Sequence, residues 1–377
     1  MLEAVESNDI EKIKELINNG ADVNIRNKCG DTPLHRVKSY EAAKLLLDNG
    51  ADVNAKADDE KTPLHHVKSY KIAKLLIERG ADVNIQDRYE DTPLHYTNNY
   101  KVAKLLIECG ANVNAKDGEE YTPLHGVKNY KIVNLLIEHG ADVNAKNYYG
   151  CTPLHYIESY KIANLLIEHS ADVNAKDNDG DTPLHNTVCI DVYDPFQYVI
   201  KCNLRIKIAK TFLDKGADVN AESKNGDTPL HYAVICHDNF EITKLLIDNG
   251  ANINAKNKRG KTPLHRAIKH NEMEHIKLLL EHGANVNAQD YYEYTPLHRA
   301  KNYDVAKLLI DNGANVNAQN VDGETPLHGT GNYEVVKLLL EHGADANIKN
   351  KYDDTPLHDA ITYVQDINLI KSLLSYY

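Results

Sequence analysis

Residues 62–91 read TPLHHVKSYKIAKLLIERGADVNIQDRYED, and these positions decide the fold. Thr62 precedes Pro63, the pair expected of an N-cap followed by a first helical position, where the missing proline N–H costs nothing. A second helix is predicted from about Lys71 to Glu78. Its Ile72, Leu75 and Leu76 fall at i, i+3 and i+4, and Ile77 widens the apolar face. Gly80 stops that helix at a position that favours a left-handed backbone. Ala81-Asp82-Val83-Asn84 then leads into a polar turn, Ile85 to Asp91, ahead of the next Thr-Pro-Leu-His. One helix–helix–hairpin unit cannot bury its apolar face alone, so it must stack on copies of itself.

The copies are present. The tetrapeptide recurs from Thr32, Thr62, Thr92, Thr122, Thr152, Thr182, Thr228, Thr262, Thr295, Thr325 and Thr355, in steps of 30, 30, 30, 30, 30, 46, 34, 33, 30 and 30. A recurrence of this kind means a stacked array. The 377 residues, which at about 150 per domain would suggest two or three globules, therefore read as one array. With 42% apolar and 26% charged residues, the chain is neither disordered nor a membrane protein. No apolar run approaches the roughly 20 residues of a membrane span. Trp 0 and Phe 3 fit thin cores of Leu, Ile, Ala and Val. The net charge of −12 disfavours nucleic acid as a partner and points to a protein partner of some basic character.

Thr-Pro-Leu-His, the Leu-Leu-Ile-Glu-x-Gly run and Ala-Asp-Val-Asn-Ala together resemble the ankyrin repeat, over nearly the whole chain. The resemblance implies an all-α solenoid of about twelve helix-turn-helix units joined by β-hairpin-like loops. Residues 1–377 would form a single array, with 1–31 an N-terminal capping repeat, 32–354 internal repeats and 355–377 a C-terminal cap. It also implies a non-enzymatic protein-binding scaffold with no cofactor, acting as a monomer, and gives the motif histidines a structural role bonding to hairpin backbone.

The chain departs from the 33-residue family pattern in three places. In the 30-residue units a Ser-Tyr or Asn-Tyr pair replaces the usual stretch between helices. This predicts a shortened first helix, with Tyr40, Tyr70, Tyr100, Tyr130, Tyr160, Tyr303 and Tyr333 packed into the corner between helices. The hairpin glycine is replaced by Glu60, Glu90, Glu120, Glu293 and Asp353, which suggests a re-shaped turn, since glycine there tolerates positive φ. Finally, an insert at about 189–204 interrupts the array. Asp194-Pro195 reads as N-cap and first helical residue, so the second helix is expected to extend backwards to near Pro195. The insert is either a loop packed on itself or a second contact patch.

Chemistry has little support. Equivalent histidines of stacked units lie about 8–10 Å apart, too far to share a metal whose nitrogen ligands sit at about 2 Å. His139, His169, His282 and His342 close second helices, where they suit the negative end. Cys29, Cys109, Cys151, Cys189, Cys202 and Cys236 contain no Cys-x-x-Cys and suggest a reducing compartment. No nucleophile elbow or phosphate loop occurs. No catalytic or metal-binding residue is therefore assigned, and an enzyme with an unrecognised site near the insert is the alternative.

A partner would meet positions that vary between units. In ankyrin arrays the hairpin tips and first helices line a concave binding face, and here those positions are rich in Tyr and Arg, common interface anchors. Two groups are the candidates: Tyr89, Tyr96, Tyr121, Tyr148, Tyr149 and Tyr156, then Tyr291, Tyr292, Tyr294 and Arg299. The first residues, Met1-Leu2-Glu3-Ala4, lack the layout of a secretory leader. Lys outnumbers Arg 35 to 8, with abundant Asn, Ile and Tyr. That bias fits AT-rich genomes such as those of intracellular bacteria and large DNA viruses, hence a cytoplasmic or host-delivered protein.

Overall fold

Thr-Pro-Leu-His closes on itself in the same way at each occurrence, the threonine amide bonding to the histidine Nδ1. In the computed structural model the Thr62 amide donates to His65 Nδ1 at 3.0 Å, and the Thr62 hydroxyl meets the same nitrogen. The histidine stands at N3, where a capping box usually carries Glu or Gln. Pro63 pre-sets the first helical φ. The structure describes residues 1–188, 195–235, 239–364 and 366–375, with backbone alone at 195–202 and 363–364.

In the 30-residue units the first helix is one turn, as at Pro63–His66 and Pro123–Gly126. The motif at Thr325 forms a hydrogen-bonded turn without a helix. The 33-residue unit keeps two turns, Pro263–His270, ended by Asn271 at φ +59°. The missing residues therefore come out of the first helix. The second helices of the 30-residue units are uniform, for example Tyr70–Glu78 and Tyr130–Glu138. Ile72, Ala73, Leu75 and Leu76 of the former are buried against their counterparts in adjacent units. Gly80 follows at φ +88°.

The helix after the insert runs Pro195–Asp214, so the backward extension is present. Ile208 and Phe212 on it are fully buried. Buried Arg205 donates from Nε to the Thr187 carbonyl at 2.8 Å, and Asn239 Nδ2 donates to the Val188 carbonyl at 2.6 Å. These two side chains satisfy carbonyls at the end of the short helix Pro183–Val188. Residues 189–194 and the side chains of 195–202, which include Cys189, Cys202 and most of the expected insert, lie outside the described residues, as does Cys236.

Between units the chain is tied by asparagines. Asn54 Nδ2 donates to the Gly80 carbonyl at 3.0 Å while its Oδ1 accepts from the Asp82 amide at 3.0 Å. Asn84 does the same with Gly110 and Asn112, and Asn114 with Gly140 and Asp142. In the other half Asn220, Asn254, Asn287 and Asn317 repeat the pattern. Neighbouring tips share one backbone bond, such as Arg88 N–H to the Asp59 carbonyl at 2.9 Å. The described residues contain helices and turns and no strand. The chain is an all-α repeat solenoid, with two compact units, Met1–Asn178 and Asp179–Tyr377.

Two expectations are corrected. The seven helix-start tyrosines are not core. Tyr40, Tyr70, Tyr100, Tyr130 and Tyr303 are exposed, and Tyr160 and Tyr333 half-buried. Each is the first residue of its helix, and its side chain leans back off the N-terminus, away from the buried stripe. Nor is the tip turn re-shaped where glycine is lost. Glu60, Glu90, Glu120, Glu293 and Asp353 hold φ of 62°, 65°, 62°, 61° and 65°, beside 77° at both Gly30 and Gly150. The local bond is also kept: the Glu60 amide donates to Ala57 as the Gly150 amide does to Asn147.

Candidate functional site

All but the last of the motif histidines face inward between units, His358 being exposed. His65 Nδ1 accepts from Thr62, so Nε2 carries the proton and donates to the Asp91 carbonyl of the next tip at 3.2 Å. His125 reaches Cys151, His231 reaches Lys261 and His298 reaches Glu324 in the same way. Burial holds the imidazoles of His35, His65, His125, His231, His265, His298 and His328 below their ordinary range. These groups are structural struts. His139, His169, His282 and His342 each bond by Nδ1 to the carbonyl four residues earlier, at helix ends. Among the described residues no cluster of three His, Cys, Asp or Glu is arranged to hold a metal ion. Cys29 and Cys109 are exposed thiols and Cys151 is a buried one.

The candidate tyrosines separate into two kinds. Tip residues Tyr89, Tyr148, Tyr149, Tyr291 and Tyr292 stand in solvent, with Tyr148 67% and Tyr291 76% exposed. Two of these three tips carry adjacent rings: Tyr148 and Tyr149 meet edge-on at 5.4 Å between centroids, and Tyr291 and Tyr292 at 6.4 Å. The Asx bond that shapes the tip fixes their backbone, with the Tyr149 amide donating to Asn147 Oδ1 at 3.0 Å and the Tyr292 amide to Asp290 Oδ1 at 3.0 Å.

The residues flanking the motif are knitted into the structure instead. Tyr121 and Tyr156 pair across units at 5.7 Å, hydroxyl to hydroxyl 3.2 Å, and Asn147 Nδ2 donates to Tyr156 at 3.0 Å. The Tyr96 hydroxyl donates to the Asp87 and Asp91 carboxylates at 2.8 and 2.9 Å, with Lys61 Nζ 4.9 Å from its ring. Burial and those two carboxylates push the Tyr96 phenol well above its usual range. Arg299 lies 3.9 Å over the Tyr294 ring, and the Tyr294 hydroxyl donates to Glu324 at 3.2 Å. All candidates thus sit on tips or first turns. The tips offer free aromatic surface and the first turns a stiffened floor.

Reading the sequence missed two features. Three of the five tip carboxylates are neutralised by a lysine four residues earlier, Lys56–Glu60, Lys116–Glu120 and Lys349–Asp353. The Lys-x-x-x-acid spacing was the available signal. The second is a cationic cleft lined by Lys258, Arg259, Lys261, Lys269, Arg299 and Lys301, hidden by an acidic total.

The model of the family described as ankyrin repeats (3 copies) matches overlapping segments that together run from residue 1 to 377. The chain belongs to the ankyrin-repeat family. A comparison with curated proteins found no match. No helix among the described residues is long and apolar enough to cross a membrane.

Proposed function

We propose that the chain is a monomeric, non-enzymatic scaffold that binds a protein partner through its tips and first turns. The observation that carries this reading is the set of adjacent exposed ring pairs, Tyr148/Tyr149 and Tyr291/Tyr292, on tips whose backbone is already fixed. Large rigid side chains on an ordered loop bind without a large ordering cost. The tip tyrosines, with Tyr96, Tyr121, Tyr156, Tyr294 and Arg299 beneath them, form the partner surface. The Lys-, Asn-, Ile- and Tyr-rich composition supports an intracellular, host-directed setting.

Affinity capture from source or host cells with the wild-type chain and with Tyr148→Ala/Tyr149→Ala tests this. A partner reduced about tenfold, the effect of losing roughly 1.4 kcal/mol, is the expected result. Unchanged recovery of every partner overturns the first aromatic group as a site. Stoichiometric zinc in the purified protein would favour an enzyme instead.

A further inference from the structure

Asp179–Tyr377 contains a cleft of ≈ 860 Å3 lined from Asn225 to Val305. Its charge is opposite to that of the chain. Lys258, Arg259, Lys261, Lys269, Arg299 and Lys301 line it, in a protein of net charge −12. Its two carboxylates are largely engaged by other groups, Asp290 still attracting Lys261. Asp227 is buried, with Oδ1 accepting from Asn257 Nδ2 at 2.7 Å and Oδ2 held by Arg266. Asp290 is buried too, and its Oδ1 accepts from the Tyr292 and Tyr294 amides at 3.0 and 3.1 Å.

Lys258, Arg259, Lys269 and Lys301 are exposed and make no ion pair among the described residues. Arg299 is fixed on Tyr294. Lys261 is held below the usual lysine range by burial, against the pull of Asp290 and with the push of Arg299, Lys269 and Arg259. Arg299, Lys269 and Arg259 crowd Lys261 with Asp290 opposing them, and an anion placed among these cations would relieve that repulsion.

We infer that this cleft is a docking site for a short acidic peptide segment of a protein partner. The inference rests on the scaffold reading above and adds the chemistry of what is bound. A short segment suits a local cleft. A long nucleic acid would have to continue over a chain whose overall charge repels it. A basic partner, the expectation from net charge alone, is disfavoured here.

The test is fluorescence anisotropy of the full chain with a labelled glutamate-rich peptide, its glutamine counterpart and a short single-stranded DNA of equal charge, at low and physiological salt. The glutamate peptide should bind, weaken as salt rises, and lose about tenfold or more in affinity with Arg259→Glu/Lys269→Glu. Both side chains are exposed, so helix content and melting should be unchanged. Lys161→Glu, an exposed lysine in the other compact unit, should leave binding within about twofold. Equal binding of the glutamine peptide, insensitivity to Arg259→Glu/Lys269→Glu, or tighter binding of the DNA through the same residues would each overturn the inference. If the peptide fails to bind while tip-dependent capture persists, only this inference falls. If capture also proves independent of the tips, the scaffold reading falls with it.

Discussion

Glu60 and Gly150 occupy the same left-handed turn at different cost. A side chain at positive φ is strained by roughly 1–2 kcal/mol, partly offset by the roughly 0.5–1 kcal/mol of chain entropy that glycine loses on folding. Glu60→Gly should therefore raise the urea midpoint slightly, the gain being reduced by loss of the exposed Lys56 pair. At Gly150 a Cβ would also stand 2.6 Å from Asn178 Oδ1 and 2.8 Å from its amide nitrogen. Gly150→Ala should lower stability by about 2 kcal/mol or more, and an unchanged midpoint would show that the next tip yields. Tyr70 and Tyr130 bring a third comparison. Being exposed, they should tolerate Ala at a cost below about 1 kcal/mol, whereas a core role would cost about 3–5 kcal/mol. That tyrosines could stand at these positions was legible in the Ser-Tyr and Asn-Tyr pairs. Their exposure was not, because it depends on where the helix starts relative to its buried stripe.

At the scale of the element, the one-turn first helix was readable because a Ser-Tyr or Asn-Tyr pair stands where the 33-residue pattern carries a longer stretch between the helices. The long helix from Pro195 was readable from Asp194-Pro195. The asparagine ladder was not, since Asp-Val-Asn looks like any turn until two units are superposed. Each rung makes two bonds to the next unit, so Asn84→Ala removes both the Gly110 and Asn112 contacts. It should cost about 1–3 kcal/mol and raise amide exchange at Gly110–Asn112 more than at remote loops. Uniform exchange across all loops would deny the ladder its role.

For the whole molecule, seven motif histidines, six buried and His298 half-buried, share one protonation logic. Each is held below the ordinary value of about 6.5 and uses Nδ1 as an acceptor. A depressed folded value means that unfolding takes up protons. The associated stability is complete above about pH 6.5 and is lost as pH falls toward the folded values. The urea midpoint should drop between pH 7.5 and 5.5, with more than one proton bound per unfolding event. A midpoint equal or higher at pH 5.5 would contradict this. Charge was where the whole-chain reading misled: a total of −12 concealed a cationic cleft, because a sum carries no position.

Partners of the proposed scaffold are expected to meet the tips and not the second helices. Tyrosines are exposed in both places, more at the tips (Tyr148 67%, Tyr291 76%) than at the helix starts (Tyr70 39%, Tyr130 47%), so a photo-crosslinking residue can replace either kind and still reach solvent. The predicted result is a crosslinked partner from a tip position and none from the helix starts. Crosslinks from Tyr70 or Tyr130, with none from the tips, would contradict the account.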